Sequence, residues 1–397
     1  MLPLAGIRVL DIASMMAGPY GATLLGDMGA DVIKIEPPYG DDSRAIGPGV
    51  DNDGGFFVGI NRSKRGIVLD LTKPEGRALY FRLVKTADVV IENLRPHAKA
   101  ALGLSYEETR KHNANIICIA VSAIGQEGPY AGRPGVDPMA QALSGFMSFT
   151  GERDGGPLKA GPAIADATCA NLVAFAAMMG LWVRAQQGIG QQIEVCLLDG
   201  MLHVQPTQLG QLFLLNYMHP RVGNASAFTA PYGAFTCRDG KQIQIATFSK
   251  KFFVNVCKAI EREDLVTDPR LATNEGRLAH ESELNAAIQA YFSQHDTEEM
   301  MRRLVAADVL AAPINTLRDA VADPQVQYNQ MVVEVEHARV GKLKVGGVPV
   351  KLTRTPGAVR LAAPTLGQHI REVLQEAGVE EAELERLQQA GVIKESL

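Results

Sequence analysis

The chain has 397 residues, 46% apolar and 21% charged, the ordinary balance of a globular protein with room for more than one hydrophobic core. A net charge of −5 gives no basic footprint for nucleic acid. Arg184 cuts the longest apolar run, so no membrane-spanning stretch is expected. The first residues lack a basic stretch followed by an apolar core and a cleavage site, so no leader is expected. Five scattered cysteines (Cys118, Cys169, Cys196, Cys237, Cys257) have no paired spacing. They are expected to be reduced thiols of a cytoplasmic protein, and no Cys- or His-based metal motif is present.

In chain order, 7–12 reads as a buried strand that runs through the turn Ala17-Gly18-Pro19 into a helix to about Met28. Gly29 ends that helix, and Asp31–Glu36 is the next strand. A helix from Pro74 to Ala87 leads to the strand 88–93, and a short helix 106–113 leads to the strand 116–122. Helices follow at 138–147, with Asp137 as cap, and at about 167–186. After these come the strand 192–198 and a long apolar helix from Asp199 to about Leu215. This alternation predicts an α/β fold with a Rossmann-like parallel sheet covered on both faces. Ligands of such sheets sit at the carboxyl ends of the strands, here 13–19, 36–44, 93–97 and 122–137. The first turn has no Gly-x-Gly-x-x-Gly, so the dinucleotide fingerprint fails despite Glu36 ending the second strand.

The pattern then changes. Residues 233–246 read as a hairpin around Asp239-Gly240, followed by amphipathic helices at about 249–261, 281–293 and 297–307. Strands return between Val332 and Leu352, and helices at 366–377 and 380–391 close the chain. The expected organisation is a large domain from 1–200, a smaller α+β domain at 225–325, and a linker and C-terminal part at 326–397 that rejoin the large domain.

One carboxylate stands out. Between Lys159 and Arg184 the only charged residue is Asp166, set among Ala, Gly, Ile, Thr and Cys. A poorly solvated carboxylate is paired, hydrogen-bonded or chemically employed. From this segment alone Asp166 reads as an N-cap of the following helix. The alternative is a carboxylate nucleophile toward acyl groups.

Other stretches bear on that choice. Val9-Leu-Asp-Ile12 with Ala17-Gly-Pro19 is followed by Leu24-Leu-Gly-Asp-Met-Gly-Ala-Asp-Val-Ile-Lys-Ile-Glu36, then Asn61-Arg-Ser-Lys-Arg65 and Leu69-Asp-Leu71. Ala87-Asp-Val-Val-Ile-Glu-Asn-Leu-Arg-Pro96, Gly125-Gln-Glu-Gly-Pro-Tyr130 and Arg133-Pro-Gly-Val-Asp137 come next, with Gln141-Ala-Leu-Ser-Gly145. Gly223-Asn224, Ala230-Pro-Tyr232 and Ala363-Pro-Thr-Leu-Gly-Gln368 complete the series. In this order they resemble the class III CoA-transferases of the CaiB–BaiF type across nearly the whole chain. The resemblance implies that Asp166 is the nucleophile, that the substrates are an acyl-CoA and a free carboxylate, and that no cofactor is tightly bound. It also implies an interlocked homodimer with crossing segments near 200–230 and 325–350. CoA phosphates call for cations at strand ends, and Arg62, Lys64, Arg65, Arg95 and Lys99 are the candidates, Arg95 the best placed. Asn93 and Leu94 are expected along the pantetheine path. Met16, Ala17, Leu69, Thr72 and Tyr130 complete the expected CoA-contacting set.

Departures from the family pattern narrow the reading. Met16 stands where some members carry Gln, and Pro37-Pro38 where an Arg often follows Glu36. Residues 225–232 lack the glycine-rich loop of oxalate-using relatives, which disfavours oxalate. The rival reading is an α-methylacyl-CoA racemase, whose two-base chemistry needs a His directly before Asp137. Val136 occupies that position. A non-catalytic CoA-binding protein is the remaining alternative. Met15, Met16, Tyr39, Phe56, Phe57 and 225–232 are expected to shape an acyl pocket, with an apolar acceptor side.

Overall fold

Val9, Leu10 and Asp11 lie in a strand with no solvent exposure, and alternate residues of that strand feed two separate cores. In the computed structural model, which describes residues 1–50 and 53–395, this strand is β1 (Arg8–Asp11). It belongs to a six-stranded sheet with β2 (Asp31–Glu36), β3 (Lys64–Val68), β4 (Val89–Glu92), β5 (Ile117–Ser122) and β6 (Gln192–Cys196). The spatial order is β3-β2-β1-β4-β5-β6 and every neighbouring pair is parallel. Leu10 pairs with Ile33 on one side and Val90 on the other. This is the doubly wound arrangement, in which the strand order reverses between β1 and β4 and opens a crevice above their carboxyl ends.

The two faces are covered as the sequence alternation requires. Val9, Val32, Val89, Ile119 and Val121 pack with the helices Ala17–Asp27 and Ile164–Gln187. Leu10, Ile33, Ile67 and Val90 pack with Pro74–Val84 and with the late helices Ile370–Glu376 and Glu381–Gln389. The helices Ala17–Asp27 and Ile164–Gln187 approach closely because Gly21 has no side chain. A Cβ there would lie 2.5 Å from Val173 Cγ1 and 3.0 Å from the Ala170 carbonyl.

Three expectations are corrected. The helix placed at 167–186 begins at Ile164, so Asp166 sits inside its first turn rather than before it. At 24 residues that helix is also long and apolar enough to cross a membrane, because the run tolerates Arg184 near its end. One face of it (Ala165, Cys169, Val173, Ala177, Leu181) is buried, while Phe175, Met178, Met179 and Trp182 are exposed. The single helix expected from Asp199 to Leu215 is two, Leu197–His203 and Pro206–Leu215. Proline cannot donate the ladder hydrogen bond inside a helix and so opens the second one.

The described chain divides into two compact units, one of 1–146, 160–206 and 324–397 and one of 147–159 and 207–323. In the second, the hairpin strands Gly233–Thr236 and Gln242–Ala246 are joined by an edge strand Leu310–Pro313 that alternation did not reveal. Phe235, Ile243, Phe253, Ile288, Phe292 and Leu304 form its core with the helices Lys250–Ala259, Glu281–Phe292 and Thr297–Ala306.

Candidate active site

The crevice above β1 and β4 holds a cavity of about 320 Å³. Residues 14–17 line it after β1, residues 93–96 after β4, and residues 121–126 at and beyond the end of β5, with Gly132 to Pro138, Phe56, Ala163, Asp166 and Leu197 completing the wall. Among the described residues its titratable lining groups are Arg95, Arg133, Asp137 and Asp166.

Asp166 is the third residue of its helix, whose N-cap is Ala163 with no side-chain cap. The capping role goes instead to Asp137. Its Oδ2 accepts from the Ala165 N–H at 2.7 Å and the Asp166 N–H at 3.2 Å, and its Oδ1 accepts from Gln141 Nε2 at 2.5 Å. Gln141 Oε1 in turn accepts from the Ala160 N–H at 2.9 Å. Two expectations change with this. Asp137 does not cap its own helix Asp137–Leu143, where Val136 is the N-cap residue. Asp166 does not cap at all, and its carboxylate has no hydrogen-bond partner among the described residues. Burial, and after it the neighbouring Asp137 carboxylate, push the Asp166 carboxyl up to about 6.

Opposite, Met16 is the N-cap residue of Ala17–Asp27 and supplies no side-chain cap. The first N–H groups of a helix have no partner within it, and those of Ala17 and Gly18 have none elsewhere among the described residues. They are donors at the positive end of the helix dipole, suited to an oxygen that gains negative charge. Asn93 fixes the approach to this turn. Its Oδ1 accepts from the Ser14 N–H at 2.9 Å and its Nδ2 donates to the Ser14 carbonyl at 2.8 Å.

The structure brings Asp166, Met16, Ala17, Asn93, Leu94 and Arg95 to one cavity, and leaves four of the expected CoA-contacting residues outside its wall. Leu69 is 1% exposed and pairs with Ile393, so it belongs to the core. Thr72 closes a turn on Asp70, its N–H and hydroxyl both donating to Asp70 Oδ1. Lys99 donates to Glu92 at 2.7 Å and to Gln126 at 2.9 Å. Tyr130 lies beneath Arg133, whose guanidinium is 4.5 Å from the ring centroid. Of the other cations considered, Arg62 pairs with Asp27, Lys64 with Asp11, and Arg65 with Asp31, Glu372 and Glu376, so all three hold the fold together. Phe56 lines the cavity, whereas Phe57 is buried under Arg44 and Tyr39 is exposed beside a different cavity.

Sequence reasoning missed Gln141 as a tie between segments and Arg133 as a cavity cation. Both lie in stretches whose pattern was noticed, but nothing in a local pattern says which carboxylate or cavity they meet. The racemase alternative is not favoured, since Val136 and not a histidine lines the cavity directly before Asp137.

Residues 4–370 match the model of CoA-transferase family III. The chain is 38% identical over 384 residues to a succinate–glutarate CoA-transferase of Agrobacterium fabrum, spanning 94% of this chain and 95% of that protein. It is 33% identical to a succinyl-CoA–D-citramalate CoA-transferase of Chloroflexus aurantiacus, over 98% of each. The crystal structure of a CaiB/BaiF family protein from Brucella suis matches with a TM-score of 0.87 at 34% identity, over 95% of this chain and 99% of that one. The chain therefore belongs to CoA-transferase family III, the CaiB/BaiF type, and is a CoA-transferase.

Proposed function

We propose that the protein moves CoA from a small dicarboxylic acyl-CoA, such as succinyl-CoA, to a second small dicarboxylic acid, with Asp166 as covalent nucleophile. The observation that carries this reading is the Asp166 carboxylate, without a hydrogen-bond partner among the described residues, on the wall of a mostly apolar cavity. That cavity is also lined by Ala17, at the helix start whose Ala17 and Gly18 N–H groups have no partner among those residues. The choice of substrates rests on the similarity to transferases named for succinate, glutarate and citramalate.

The steps balance without a net proton. The Asp166 carboxylate attacks the thioester carbonyl, forming a mixed anhydride and releasing CoA thiolate. The thiolate attacks the aspartyl carbonyl, giving an aspartyl–CoA thioester and the donor acid. The acceptor carboxylate attacks that thioester and expels CoA thiolate. The thiolate then takes the acceptor acyl group and frees Asp166. The raised pKa fits this use, because a less stabilised carboxylate attacks more readily and is still ionised above about pH 6. The N–H groups of Ala17 and Gly18 serve the oxyanions. The apolar wall of Met15, Met16, Phe56, Val136 and Leu197 protects the anhydride from water. Arg95 and Arg133 supply positive charge at the cavity for phosphate or the distal carboxylate.

Incubation of the enzyme with succinyl-CoA and a panel of dicarboxylates, read by mass spectrometry, tests the reading. New acyl-CoA species are expected from the wild type and not from Asp166→Ala. Equal yields from both would refute it. We further propose a homodimer of the interlocked kind, which would cover the exposed apolar row Phe175, Met178, Met179 and Trp182. A monomer in sedimentation at low micromolar concentration would contradict it.

A further inference from the structure

Next to the cavity lies a cluster of buried charges that the steps above do not use. Lys34 on β2 and Lys64 on β3 are 1% and 0% exposed. Buried ammonium groups are costly unless paired and hydrogen-bonded. Lys64 Nζ donates to Asp11 Oδ2 at 2.8 Å and to the Pro19 carbonyl and Asn61 Oδ1 at 2.7 Å each. Lys34 Nζ donates to Asp41 Oδ2 at 2.7 Å and to the Ala13 carbonyl. Burial opposes the Lys34 ammonium, but Asp11, Asp41 and Glu36 offset it and hold its pKa above the ordinary lysine value.

The cluster reaches out to one short stretch of main chain. Asp41 Oδ1 accepts from the Met15 N–H at 3.2 Å, and Asp11 Oδ1 from the Ala13 N–H at 3.1 Å. Met15 has φ +68°, a left-handed conformation that costs a non-glycine residue about 1 kcal/mol or more and persists only where its surroundings impose it. The next residue, Met16, is the N-cap of the helix whose Ala17 and Gly18 N–H groups are free. The direction of those donors is set by the turn that the cluster grips.

We infer that the Lys34–Asp41 pair is a positioning device for the transfer reaction, holding the Ala13 carbonyl and the Met15 N–H so that the Ala17 and Gly18 donors are aimed at the carbonyl under attack. The inference rests on the reading of Asp166 as nucleophile. A stabilising role alone explains the placement poorly, because a buried ion pair is often replaced by apolar residues at no loss of stability.

The test replaces the pair by apolar residues, Lys34→Met with Asp41→Leu, and measures succinyl-CoA transfer, melting and amide exchange. The expected result is a kcat lower by about 100-fold, as for a misplaced oxyanion donor. KM for succinyl-CoA should stay within about threefold, since ground-state binding does not depend on the donors. Amides of the peptide covering 12–20 should exchange faster than in wild type. Asp41→Asn, which keeps an oxygen for the Met15 N–H, should recover kcat to within about tenfold of wild type. Should the double variant fail to fold, Asp41→Ala carries the same expectation, because Lys34 then remains 3.9 Å from Asp11. A folded double variant or Asp41→Ala with wild-type kcat overturns the inference, and so does an Asp41→Asn enzyme as slow as either. Asp166→Ala run alongside separates the two levels. Turnover there refutes the nucleophile itself, whereas a dead Asp166→Ala beside an unimpaired double variant refutes only the positioning role.

Discussion

Replacing Asp166 by Asn removes the charge at nearly constant shape, and the structure fixes what stability should do. The carboxyl has an ordinary value of 3.8 and about 6 in the folded protein, raised by burial first and by Asp137 second. The folded state therefore holds its proton to higher pH than the unfolded chain. Stability from this group is fully present below 3.8 and is lost as pH rises through about 6. The difference corresponds to about 3 kcal/mol, and partial exposure of the group discounts it to about 1–2 kcal/mol. Asn cannot ionise and escapes that loss. In urea unfolding at pH 8 the Asn variant should be about 1–2 kcal/mol more stable than wild type, with the gap closing toward pH 4. The same variant should lose at least about 1000-fold in turnover. A wild type as stable as the variant at pH 8 would refute the claim that this carboxylate is held at an energetic disadvantage.

Other consequences follow from the same geometry. The acid limb of the kcat/KM profile should lie near pH 6, and Asp137→Asn should move it to lower pH because the second cause of the raised Asp166 value is gone; an unmoved limb would separate the two carboxylates. Gly21→Val should cost about 1–3 kcal/mol in chemical unfolding, since the added carbon falls 2.5 Å from Val173 Cγ1. Arg133→Ala should raise KM for succinyl-CoA about tenfold with kcat nearly constant, as expected when one exposed charged contact to a bound anion is removed; a fall in kcat instead would give Arg133 a part in the chemistry.

The parallel sheet was legible because apolar strands alternate with helices through residue 198, and a chain of that pattern has few other ways to bury both faces. Asp166 was legible because it is the only charge in a long apolar stretch. What it does at the helix start was not. The bond that replaces its capping role joins Asp137 to the Ala165 and Asp166 N–H groups, 28 and 29 residues apart in sequence. The basic residues near 62–65 were misjudged for a related reason. Lys64 and Arg62 look like surface cations in the sequence, but their partners Asp11 and Asp27 are brought to them only by strand pairing and helix packing. The strand Leu310–Pro313 was hidden because a four-residue edge strand alternates over too short a span to stand out.

The central claim is that Asp166 carries CoA during turnover, and it is tested most directly by the mass of the peptide that contains it. Enzyme incubated with succinyl-CoA and quenched should yield that peptide as a CoA thioester, converted to the hydroxamate by hydroxylamine and absent from Asp166→Asn. An unmodified Asp166 peptide from enzyme that is turning over, or an adduct on another residue, would contradict it.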